Sequence, residues 1–219
     1  LGLSTDRISG GFIQLLSIPN HLDIFCKIYR PGIAISQLHS LQDLYNELWQ
    51  QNIVSQALEK AQQYTNAAYE IAEKMYSLQQ LSIPDSQWTE TIRQNLPYLS
   101  SVGLLEETNK SIQFYHQSFY DYVFAKSFTA KGGSLEEYIF KEEQSIYIRP
   151  AVKMILAFLR QIDISEYINL ISSILSSGKV RYHLQLLVIN QLGFEETPVR
   201  TEIDFVKKYL LPSSKWKLP

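Results

Sequence analysis

With 219 residues, 45% of them hydrophobic, the chain can bury a real core and is long enough for one large domain or two to three small ones. Twenty basic residues against 22 acidic ones leave a net charge of −2, which offers no electrostatic case for nucleic acid or an anionic membrane. A single cysteine, Cys26, excludes an intramolecular disulfide and fits a reducing, cytoplasmic setting. No apolar run approaches the ~20 residues that span a bilayer. The first residues carry neither an initiator methionine nor a basic-then-apolar signal, so a fragment of a longer protein is expected.

Helical spacing dominates the chain. Ile8, Phe12, Leu15 and Leu16 lead up to Pro19, and Leu22, Ile24, Phe25 and Ile28 follow it. Proline suits a first helical turn and not a helix interior, so two helices meet at Pro19, with Asn20 and Asp23 favouring the start of the second. Pro31-Gly32 breaks the chain, and a third helix follows from about Ser36 to Gln50. A long helix then spans about Val54 to Gln80, with Leu58, Ala61, Thr65, Ala68, Ala72 and Met75 three or four residues apart. Ser86 is positioned to cap a helix from Gln87 to Ser100, which Pro97 ends or kinks.

The most informative stretch comes next. Leu104-Leu105-Glu106-Glu107-Thr108 and Ile112-Gln113-Phe114 read as a hairpin joined through Asn109-Lys110. The second strand runs through His116 into an amphipathic helix from Ser118 to about Lys131. An imidazole at that junction lies near the unpaired N–H groups that open a helix, a place to meet a phosphate. Helix, helix, two-stranded wing, helix is the order of a winged-helix domain. Gly132-Gly133-Ser134 reads as a linker. Beyond it, helices at 148–159, 167–175, 180–193 and 202–211 pair through short turns in the manner of HEAT-like repeats.

Two segments carry a family resemblance. Leu15-Leu16-Ser17-Ile18-Pro19-Asn20-His21-Leu22 resembles the L-L-x-x-P-x-x-L segment in the helical domain of STAND-class NTPases with a NACHT module. Val102-Gly103-Leu104-Leu105 followed by Phe114-Tyr115-His116-Gln117-Ser118-Phe119-Tyr120-Asp121-Tyr122-Val123-Phe124-Ala125 is similar to their winged-helix motif, G-L-L preceding F-x-H-x-S-F-Q-E-Y-x-A. The weaker likeness of Val180-Arg181-Tyr182-His183-Leu184, Thr197-Pro198 and Glu202 to helical repeats extends it over nearly the whole chain. Tyr120 stands where the family often has glutamine, and Asp121 replaces its glutamate.

The resemblance implies a mainly α chain: a helical domain at 1–52, a winged-helix domain with a two-stranded wing at 53–131, and HEAT-like repeats at 132–219. It also implies that Pro19 packs against an adenine ring and that His116 contacts nucleotide phosphates, sensing ADP against ATP. Implied cofactors are ADP or ATP with magnesium in the full-length parent, with none expected on the fragment. Implied partners are an NTPase core in cis, a protein or peptide ligand at the repeats, and further copies of the protein on activation. No G-x-x-x-x-G-K-[ST] loop and no apolar run ending in paired acids occurs, so the fragment is not expected to hydrolyse anything.

Other residues have plainer readings. His21, His39 and His183 lack metal-ligand spacing and read as structural, so no metal site is expected. Cys26 falls on the apolar side of its helix and reads as a buried thiol. Arg149 and Arg181 precede apolar helices as solvated or capping groups, and Glu136-Glu137 and Glu142-Glu143 as exposed helix charge. Two alternatives stand beside the regulatory reading: a helical protein-interaction scaffold, and a DNA-binding winged helix. Against the latter, the segment from Gln87 to Ser100 has Arg93 against Glu90, and the wing has Lys110 against Glu106 and Glu107.

Overall fold

The computed structural model describes residues 10–108, 110–195 and 197–213. The protein is mainly helical with one small three-stranded antiparallel sheet. It divides into two compact units, with the boundary between Ser127 and Phe128.

In the first unit, α1 (Gly10–Leu16) and α2 (Pro19–Ile28) meet at Pro19, which takes the first helical position as its fixed φ allows. The expected start at Ile8 and the closing residues from Ser214 lie outside the described residues. The third helix is shorter than its pattern. Residues Ile35–Gln37 form one tight turn, and α3 (Leu41–Trp49) starts after Ser40. Ser40 and Asp43 cap its first turn reciprocally, an S-x-x-D box that satisfies two orphan backbone donors. After a π-type turn at Gln50–Val54, α4 runs from Leu58 to Leu78.

A strand the hydrophobic pattern did not announce follows. β1 (Ser82–Pro84) pairs with β3 (Ser111–Phe114), which pairs with β2 (Leu105–Thr108), giving the order β1-β3-β2. The expected two-stranded hairpin is therefore an edge of three. Pro84 is tolerated because β1 is an edge strand, and Ile83 opposes Ile112 with both side chains buried. The next helix, α5 (Glu90–Ser101), is capped by Thr89 and not Ser86, and it runs a turn past Pro97. Gly103 at φ +69° closes it and sends the chain into β2.

Helix α6 (Gln117–Ala130) is the centre of the unit. The expected amphipathic stripe gives way to burial of Phe119, Tyr120, Asp121, Tyr122, Val123, Phe124 and Ala125 in succession. Phe119 and Tyr122 lie 5.1 and 5.3 Å from the Tyr45 ring of α3. Tyr120 and Phe124 stack on Tyr76 of α4 at 4.4 and 3.9 Å. Phe114 of β3 packs on Phe119 and Tyr120. Each such pair adds about 0.5–1.5 kcal/mol beyond the area it buries.

The second unit begins at Phe128, within the last turn of α6 and ahead of the expected linker. The amides of Gly132 and Gly133 close the end of α6 on Thr129 and Phe128, and Ser134 caps α7 (Leu135–Lys141), so the glycines are a helix stop. Glu136 and Glu137 are exposed on α7, whereas Glu142 and Glu143 lie past its end, Glu143 at φ +50°. Then come α8 (Arg149–Ile162), α9 (Ile164–Ser176), α10 (Tyr182–Gly193) and α11 (Arg200–Phe205), the last continued by a π-type turn. Arg160 of α8 grips Glu202 of α11 in a bidentate pair of 2.7 and 2.9 Å and donates to the Thr197 carbonyl at 2.9 Å. Glu202 is only 2% exposed and also accepts the Val199 amide at 2.9 Å. Burial pushes its carboxyl up, but the Arg160 and Val199 hydrogen bonds outweigh that, and its pKa falls below the usual carboxylate value.

Two outcomes follow from these buried charges. Asp121 is 6% exposed, accepts the Tyr76 hydroxyl, and is pushed up to about 6 by burial. The folded chain then holds a proton that an unfolded carboxyl, near 3.9, has released. The contribution of Asp121 to stability is fullest below about pH 4, falls by about 3 kcal/mol as pH rises to about 6, and is level above. Urea titrations across this window should show that fall, and Asp121→Asn should flatten it. In the second unit, Arg160→Met should cost about 3 kcal/mol by stranding a buried carboxylate. Adding Glu202→Gln should recover most of the loss in the same titration.

Candidate functional site

The strand–helix junction at His116 gathers groups from four elements. β3 is prolonged by the Tyr115 amide donating to the Leu104 carbonyl at 3.3 Å, and His116 then turns the chain into α6. Its carbonyl accepts the Phe119 and Tyr120 amides, both at 3.1 Å, so His116 is the residue that caps the helix. Its side chain caps as well. Nδ1 accepts the Ser118 amide at 3.2 Å and lies 2.7 Å from the Ser118 hydroxyl. The imidazole thus satisfies one of the amides that an anion at this helix start would otherwise have met.

The Ser118 hydroxyl is also 2.6 Å from the Tyr45 hydroxyl of α3. The Asn20 side chain, at the start of α2, lies close to that same tyrosine. The buried Tyr115 hydroxyl sits beside it without making a hydrogen bond. Burial raises the pKa of both tyrosines, so both keep their protons at neutral pH. Lys27 of α2 stands 4.4 Å over the Tyr115 ring and pairs with Asp23 at 2.9 Å.

Pro19 and His116 are both exposed, and the contacts from Asn20 through Tyr45 and Ser118 to His116 link their neighbourhoods. Pro19 is flanked by exposed Ile18 and Leu22. The start of α2 has no side-chain cap and no acid in its first turn: Asn20 turns to Tyr45, and Asp23 to Lys27. His21 has the expected structural bond, its Nδ1–H donating to the Leu15 carbonyl at 2.9 Å. It also stands close enough to His116 for its charge to matter. Burial first, and His21 second, lower the His116 pKa from the ordinary imidazole value.

Residues away from the junction behave differently. Cys26 is exposed, against the buried thiol expected, because the buried face of α2 is made by Ile24, Phe25 and Ile28. His183 donates from Nε2 to the Gln144 carbonyl at 3.0 Å. Arg181 takes the capping position of α10, while Arg149 is half-buried, with its Nε enclosed and without a hydrogen-bond partner. Arg93 is tied back to Asp85, donating to its carbonyl at 3.2 Å, which removes the one cation of α5 from service to a phosphate backbone. Among the described residues no cluster of three or more His, Cys, Asp or Glu could hold a metal. No described helix is long and apolar enough to cross a membrane.

Sequence reading missed three members of this site: Tyr45, Ser118 as a hydrogen-bonding group, and His21 as a neighbour of His116. The spacing of Ser118 two residues after His116 was the one available signal, since side chains so placed can share a helix cap.

The coupling of the two histidines is measurable. His21→Gln should raise the His116 pKa in an NMR titration of the imidazole protons. Compared with family models and with curated protein sequences, the chain matches none.

Proposed function

We propose that the chain is the regulatory part of a STAND-class NTPase of the NACHT kind, in which a winged helix helps hold and sense bound ADP or ATP. The single observation that carries this reading is the linkage of Pro19 and His116. Two exposed residues far apart in sequence, each given a nucleotide role by resemblance, have neighbours that meet at one tyrosine: Asn20 lies close to Tyr45, whose hydroxyl contacts Ser118, the partner of His116. The element order α4-β1-α5-β2-β3-α6 supports a winged-helix domain, and the paired helices α8 to α11 support HEAT-like repeats.

In this reading Pro19, with Ile18 and Leu22, offers an apolar surface to an adenine ring. His116 offers an N–H to a phosphate oxygen. A phosphate held by an NTPase core and by His116 together ties that core to the winged helix in a closed state. Ligand binding at the repeats shifts the balance to an open, self-associating state, which requires a few kcal/mol of preference between the two. The chain contains no Walker A loop, so hydrolysis belongs to the core and not to these residues.

A scaffold reading is favoured by the exposed apolar side chains of the second unit, Ile162 at 71% and Phe194 at 85% exposure among them. The two readings divide on one fact. A Walker A loop encoded within the ~200–300 residues before Leu1 supports the nucleotide switch, and its absence favours the scaffold. In the intact protein, His116→Ala should release ADP faster and raise basal activity; an unchanged ADP off-rate contradicts the assignment.

A further inference from the structure

We infer that Tyr45 and Ser118 are positioning residues for His116: a two-hydroxyl relay from α3 to α6 that fixes the imidazole as its Nε2–H tautomer and presents a donor to an anionic ligand. The argument is one of hydrogen-bond direction. The Ser118 amide can only donate, and its target at 3.2 Å is Nδ1, so Nδ1 carries a lone pair. The Ser118 hydroxyl, 2.7 Å from the same atom, then donates its single proton to Nδ1. Its oxygen is left to accept from Tyr45, 2.6 Å away, which keeps its proton because it is buried. Every proton in the row points toward the histidine. The ring's own proton is therefore on Nε2, the atom not engaged by the cap.

A neutral imidazole in the other tautomer would set an N–H against an N–H at Ser118. It would also offer a lone pair where a phosphate oxygen needs a donor. Protonation of Nδ1 meets the same conflict, so the relay holds the ring neutral. His21 from α2 acts in the same sense. Its Nδ1–H is spent on the Leu15 carbonyl, and Tyr45, Tyr115, Lys27, Asp23 and the buried Asp121 are further ionisable groups around the junction. The relay also spans helices: displacing α3 from α6 removes the Tyr45 donor.

The tautomer stands on this geometry alone, while the ligand's being a nucleotide phosphate rests on the function proposed above. The test is long-range 1H–15N NMR of the imidazole in the 219-residue chain, with circular dichroism to check folding. Wild type should show protonated Nε2 and bare Nδ1 for His116. Ser118→Ala should shift the tautomer ratio toward Nδ1–H by about tenfold, the worth of one hydrogen bond. Ser118→Thr should restore it, and Tyr45→Phe should give a smaller shift of the same sign. A protonated Nδ1 in wild type, or an unmoved ratio in Ser118→Ala, overturns the relay. In the intact protein, Mg-ADP retention should follow the same series. A tautomer that moves while ADP retention does not keeps the relay and rejects the nucleotide.

Discussion

Phe119 and Tyr122 bind α6 to α3, and Tyr120 and Phe124 bind it to α4, so the helix is gripped from both sides by aromatic faces. His116 caps that helix and Ser118 lies in its first turn. A side chain aimed at a ligand must be held to within a fraction of an ångström, and a surface residue rarely is. Here the ring is exposed, but its backbone opens a buried helix and its Nδ1 is bound to that helix. Packing, not the histidine's own contacts with solvent, decides where Nε2 faces.

The arrangement also gives the buried polar groups of the unit distinct tasks. Asp121 is buried against the Tyr76 hydroxyl, and burial pushes its carboxyl up to about 6. Tyr45 spends its hydroxyl on Ser118 while its ring fills the core against Phe119, so one side chain serves both packing and direction. The second unit is held on different terms. Its α8 and α11 are joined by the Arg160–Glu202 pair, a charged fork that fixes geometry more than it adds stability.

Much of this was legible in the sequence because local rules dominate it. Pro19 opens α2 as its fixed φ demands, the period of three to four residues marks α4, and the alternation in Ile112 and Phe114 marks β3. What escaped was set by tertiary contact. β1 is three residues with one buried side chain, Ile83, and owes its existence to the edge of β3. Helix α7 is seven residues, too short for a period to be read, and α6 is buried on more than one face because α3, α4 and β3 all pack against it. The site was half visible: His116 and Pro19 stand out by their motifs, whereas Tyr45 lies 73 positions from Ser118 and no spacing rule connects them.

The account turns on α6 being the least mobile part of the first unit, so that the junction it carries is preformed. Native-state hydrogen exchange measures this directly. The amides of residues 120–125 should exchange only through global unfolding, later than those of α1 and α2. If they open at a free energy no higher than that of α2, the helix does not fix the histidine and the account fails.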